Sequence, residues 1–139
     1  MAVDIKSLRI GSHVEYEGKR VRICSLKTNM ANYDYGKGKP RCFSSWLAYY
    51  KRMQPIPITP ALLKELGFKW RKDSSCWRKY QNYDGERYDW GIYAYGCEDS
   101  TWCFSLYLPN FLIKPQLYAE HLHELEGQLA YYGVELIKE

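Results

Sequence analysis

Three histidines, five cysteines and two short basic-aromatic runs are the side chains through which this chain could do chemistry. A metal site needs three or four His, Cys or carboxylate ligands converging on one point. His121 and His123 lie two apart in a segment with helical periodicity, so they diverge by about 200° around the axis. His121 and Glu124 share a face but supply only two ligands. Cys97 and Cys103 flank a turn, without the CxxC spacing of a zinc site. A nucleophilic cysteine needs positive charge to hold its thiolate and a base to cycle the proton. Cys76 has Arg78 on the same face of its predicted strand, and no base. There is no Gly-rich phosphate loop, no nucleophile-elbow serine and no HExxH. The paired carboxylates Asp84 with Glu86, and Glu98 with Asp99, fall in turn-like segments where solvation accounts for them. The expectation is a protein that works by binding, not an enzyme, with no metal and no cofactor.

The chemistry that does stand out is cationic and aromatic. Lys69-Trp70-Arg71-Lys72 and Trp77-Arg78-Lys79-Tyr80 read as two antiparallel strands joined by Asp73-Ser74-Ser75. Cations neutralise phosphates, and Trp or Tyr rings stack on unpaired bases. These eight residues are the candidate nucleic-acid-binding set. Two readings of the ribbon stay open: a binding surface, or an edge hairpin with solvated charges and tryptophans that enter the core. Lys37, Lys39, Arg41, Lys51 and Arg52 form a second basic group beside a turn-rich stretch.

Charge along the chain is polarised. Residues 1–80 hold 17 Lys/Arg against 6 Asp/Glu, or +11, and residues 81–139 hold 3 against 10, or −7, within a net charge of +4. Such asymmetry points to an acidic partner, or to two parts of a fold that neutralise each other. Fourteen Tyr, five Trp and four Phe make the chain rich in rings that suit half-buried sheet faces and binding surfaces alike. At 139 residues the expectation is a single domain, 1–139. No run of 18 apolar residues suggests a membrane span. The N-terminus lacks the apolar core of a secretory signal, and the odd cysteine count suits reduced thiols, so the cytoplasm is the expected compartment.

The elements that must position these residues follow from pattern. Val14 and Tyr16, then Val21 and Ile23, alternate with polar neighbours around Gly18, a β-hairpin signal. Residues 28–41 carry turn chemistry and read as a mobile loop. The stretch from Phe43 to Met53 reads as strand, and Pro55-Ile56-Pro57 is extended. Thr59 caps a short helix over about 60–66, with Pro60 at its first turn, Leu62, Leu63 and Leu66 on one face, and Gly67 as its stop. Candidate strands at 68–72, 76–80, 88–95 and 101–108 form a meander. Tyr118, Leu122, Leu125, Leu129 and Tyr132 recur at helical spacing and predict a long C-terminal helix ended by Gly133, with a short strand at 134–137. The predicted class is α+β: an N-terminal hairpin and a curved antiparallel sheet covered by one long C-terminal helix, with one short helix beside it.

Three segments together resemble a known family. They are Leu8-Arg9-Ile10-Gly11; Pro55-Ile56-Pro57-Ile58-Thr59 running into Leu62-Leu63-Lys64-Glu65-Leu66-Gly67-Phe68; and His121-Leu122-His123-Glu124-Leu125, whose helix runs to Tyr131-Tyr132-Gly133-Val134-Glu135-Leu136. In order and spacing this is similar to a family of small uncharacterised proteins from Bacteroidetes genomes, their phages and prophages. The matching segments cover about a third of the chain. The resemblance implies a phage-type accessory protein in the host cytoplasm and carries no activity or site residues with it. Two partner classes stay open with equal weight, the first a nucleic acid held by the basic-aromatic ribbon. The alternative is a host defence or replication protein, inhibited or modulated through the aromatic surplus and the acidic helix residues Glu120, Glu124 and Glu126.

Overall fold

The computed structural model describes residues 2–36, 46–97, 99–109 and 114–137, with residue 5 described by its backbone alone. The fold is α+β, and its strands divide between two antiparallel sheets. The chain separates into two compact units, residues 1–57 with 121–139, and residues 58–120.

In the first unit, β1 (His13–Tyr16), β2 (Lys19–Leu26), β3 (Met30–Asp34) and β4 (Trp46–Tyr49) pair in chain order. The β1–β2 turn places Glu17 at φ 50° and Gly18 at φ 77°, the double left-handed geometry of a two-residue hairpin. After a 3-10 turn at Tyr50–Arg52, Gln54 exchanges two backbone hydrogen bonds of 2.9 Å with Glu15 of β1. The strip thus curls until its far end pairs with its first strand. Val14, Val21, Ile23, Ala31, Ala48, Tyr50 and Met53 fill the interior.

Residues 28–41, expected as a mobile loop, contain β3, while 37–41 lie outside the described residues. The polar residues that suggested a loop have partners within the sheet. Asn32 accepts from the Ser25 hydroxyl, and Asp34 forms a buried two-pronged pair with Arg22. Ala31 and Tyr33, which alternate with Asn32 and Asp34 along β3, are buried.

The C-terminal helix, α2, runs over Leu122–Ala130, shorter than its periodicity predicted. His121 is its cap, with Glu124 accepting from the His121 backbone N–H at 2.9 Å. Tyr118 belongs to strand, not helix; the apolar spacing runs on by coincidence across the cap. Leu122, Leu125 and Leu129 are buried as predicted. α2 lies along β1 and the N-terminal 3-10 turn at Ile5–Ser7, tied by Glu126 to His13 and by His123 to Ser7. Residues 134–137 are irregular, with a bend at 136–137, not the expected short strand, though Val134 and Leu136 are buried.

In the second unit, α1 (Pro60–Glu65) has the predicted capping. Leu62 N–H donates to the Thr59 hydroxyl at 3.1 Å. Gly67, at φ 94°, donates to the Lys64 carbonyl and Phe68 to the Leu63 carbonyl, the Schellman pair of bonds. β5 (Lys69–Arg71), β6 (Cys76–Gln81), β7 (Trp90–Gly96), β8 (Trp102–Tyr107) and β9 (Gln116–Ala119) then form a meander in chain order. The first four are the predicted strands; β9 was read as the start of the helix. One sheet face, carrying Trp90, Ile92, Ala94, Phe104, Leu106, Leu117 and Ala119, is buried.

Candidate nucleic-acid interface

Register decides what the basic-aromatic ribbon presents. Lys69 pairs with Arg78, Trp70 with Trp77 and Arg71 with Cys76. Because side chains alternate across a strand, Lys69, Arg71, Arg78 and Tyr80 share one face, and Trp70, Trp77 and Lys79 share the other. The eight candidate residues are therefore split. Lys79 is committed locally: its ammonium donates to the Leu66 carbonyl at 2.5 Å and sits 6.0 Å from the Trp90 ring centre. Lys72 lies in the exposed turn between β5 and β6.

The face that carries Arg78 is the one opposite the core, and tertiary structure adds residues that the linear motif did not contain. Across the sheet run three cross-strand rows. Lys69, Arg78, Tyr93, Ser105 and Gln116 form one. Tyr80, Gly91 and Tyr107 form the second. Tyr95, Cys103 and Tyr118 form the third, on the side of Arg71 and Cys76. Tyr80, Tyr88, Tyr93 and Tyr107 are half-buried because they pack on one another. Tyr93 and Tyr107 have ring centres 4.4 Å apart, Tyr80 meets Tyr83 at 5.0 Å and Tyr88 at 5.2 Å, and the Tyr80 and Tyr93 hydroxyls share a short hydrogen bond. The result is a connected path of rings from Tyr83, 57% exposed, to Tyr107.

Cations border that path at Tyr93 and at its Tyr107 end. The Arg78 guanidinium lies 4.4 Å from the Tyr93 ring centre, and the Lys114 ammonium lies 4.5 Å from that of Tyr107. Arg78 donates to the Ser74 hydroxyl at 2.5 Å, and its Nε has no partner among the described residues. Burial holds the phenols of Tyr80, Tyr95 and Tyr107 above their ordinary value, and the bond to Tyr93 raises Tyr80 further. The face consequently offers neutral hydroxyls beside fixed cations at any physiological pH.

Charge follows structure, not the halves of the chain. The unit of residues 58–120 holds eight Lys/Arg and eight Asp/Glu, against twelve and eight in the other unit. Within it the signs are segregated: β5–β9 contain Lys69, Arg71, Arg78 and Lys79 and no carboxylate. Asp84 is spent inside its own turn, accepting from the Arg87 and Glu86 backbone N–H groups, which hold its carboxyl below the usual range.

The expected acidic helix face is not a free surface. Glu126 accepts from the backbone and ring of His13 and Glu124 caps His121, while Glu120 precedes the helix. His121 and His123, expected to diverge, stack at 6.0 Å because His121 stands in the cap. Among the described residues no group of three or more His, Cys, Asp or Glu is placed to hold a metal.

Sequence reasoning missed Tyr83, Tyr88, Tyr93, Tyr95, Tyr107 and Lys114. The signal that could have found them was the alternation of tyrosines within the predicted meander, which register then assembles on the Arg78 face. Compared with models of protein families, with curated proteins and with solved structures, the chain matches none.

Proposed function

We propose that the protein acts by binding, and that residues 58–120 take single-stranded nucleic acid on the tyrosine face of β5–β9. The observation that carries this reading is the ring path bordered by Arg78 and Lys114 on strands without a carboxylate. Base faces stack on tyrosines while phosphates meet Lys69, Arg71, Arg78 and Lys114. A duplex hides its base faces, so the surface favours single strands. Resemblance to small proteins of Bacteroidetes and their phages supports an accessory role within a host cell.

Fluorescence anisotropy of nuclease-treated protein with labelled single- and double-stranded oligonucleotides tests this at low and physiological salt. Binding preferring single strands and weakening with salt, and reduced about tenfold by Tyr93→Ala, is expected. No binding at low salt would overturn it.

A second reading, a host protein partner, draws on the other unit. Trp46, Leu47 and Tyr49 are each more than 40% exposed on the edge strand β4. Apolar side chains on an open strand edge suit pairing with another chain. A pulldown from nuclease-treated host lysate, with Leu47→Lys as control, tests it; a specific band lost in the variant is the expected result.

A further inference from the structure

The reverse face of the β5–β6 ribbon holds a separate groove. Lys64, Gly67, Phe68, Lys69, Trp70 and Trp77 line a space of about 490 Å³, within the range of small-molecule sites. Its walls follow from local structure. The Schellman end of α1 turns Phe68 inward, where it is 2% exposed and forms the floor. The register sets Trp70 opposite Trp77, with ring centres 5.5 Å apart and planes inclined at 62°. Trp70, on the edge strand, keeps 51% of its surface exposed. Packing this large apolar ring outside the core leaves it available for stacking.

The charge of the groove is one-sided. Its lining has two lysines and no carboxylate. The carbonyl end of α1 would repel an anion, but the Lys79 ammonium donates to the Leu66 carbonyl there and offsets it. Flat rings joined to uncompensated cations are complementary to a planar aromatic group that carries negative charge.

We propose that this groove binds one nucleotide, its base against Trp70 and its phosphate at Lys64, with Lys69 at the rim. The same chemistry can come from a free mononucleotide or from the phosphorylated end of a strand. Lys69 stands at the edge strand, on the rim of this groove and in the Arg78 row, so a strand on the tyrosine face could turn its end around β5. The groove itself does not depend on that face binding anything.

Isothermal titration calorimetry of the full chain, whose signal does not depend on the indole of Trp70, tests the proposal. Titration with AMP, adenosine, inorganic phosphate, and one oligonucleotide with and without a 5′-phosphate separates the contributions. Saturable binding of AMP is expected, about tenfold weaker for adenosine, absent for phosphate, kept in Trp70→Phe and lost in Trp70→Ala. Tyr93→Ala should leave the AMP response unchanged, so failure of the tyrosine face and failure of the groove are read apart. Tighter binding of the phosphorylated oligonucleotide than of AMP and of its unphosphorylated twin assigns the site to strand ends; AMP binding as tight assigns it to the free nucleotide. No saturable AMP response, an equal response in folded Trp70→Ala, or an equal response to adenosine would overturn the proposal.

Discussion

The ring of Tyr80 lies directly on the backbone of Gly91: a Cβ built on Gly91 would stand 2.7 Å from Tyr80 Cε1 and 2.8 Å from Cδ1. Only glycine lets a cross-strand ring settle that low on the sheet, and from there the Tyr80 hydroxyl reaches that of Tyr93. Gly91→Ala should therefore cost about 1–3 kcal/mol by overpacking. Chemical denaturation measures this, and in Tyr80→Leu the same substitution should cost much less. Equal costs in the two backgrounds would refute the contact.

Phosphate contacts should register as salt dependence. If Arg71 and Lys114 each neutralise a phosphate of a bound single strand, alanine at either lowers the slope of log affinity against log salt by about 0.7. Tyr107→Ala should weaken binding with the slope intact, since it removes stacking and no charge. A slope that stays put in both lysine and arginine variants would show that these cations face only solvent.

Thr59→Ala removes the acceptor for the Leu62 N–H at the start of α1. A loss of about 1 kcal/mol is expected. Thr59→Ser, which keeps the oxygen, should stay near the parent in a thermal melt. If both variants melt alike, the cap contributes nothing.

Arg22 and Asp34 pair through two bonds of 3.0 and 2.9 Å, and both side chains are buried. Removing Asp34 takes two charge-assisted bonds from the buried Arg22, so Asp34→Ala should cost about 3–5 kcal/mol. Replacing both by apolar residues of similar volume should cost far less. Denaturant midpoints of the single and double variants decide the matter.

His123 is buried, with its Nε2 2.9 Å from the Ser7 hydroxyl and its Nδ1 without a partner among the described residues. Burial holds its imidazole below the ordinary 6.5. The unfolded chain therefore takes up a proton first as pH falls. The stability that comes from keeping His123 neutral is complete above about pH 6.5 and is lost progressively below it. His123→Gln keeps a polar partner for Ser7 and removes the titration. Urea denaturation at pH 7 and pH 5 should show a steeper loss in the parent than in the variant.

Local physics made several parts of this protein legible from sequence alone. The α1 cap and its Gly67 stop, the Gly18 hairpin, four of the five meander strands and the buried Leu122–Leu125–Leu129 stripe depend on neighbours a few residues away. Turn chemistry and side-chain periodicity report such neighbours directly. β3 was hidden because Asn32 and Asp34 look like loop residues until Ser25 and Arg22 are placed opposite them. The start of α2 was hidden because apolar spacing does not mark where strand gives way to cap.

Tertiary structure decided the rest, above all the composition of the site. The strand sequences put Trp70, Arg78 and Tyr80 close together in the chain, but pairing sorts them onto opposite faces. The same pairing brings Tyr93 and Tyr107, with Lys114 beside them, to Arg78 from other strands. A strand shows alternate residues to alternate faces, so which residues meet is set by register between strands. Register is a relation among distant segments, and no single stretch of the chain contains it.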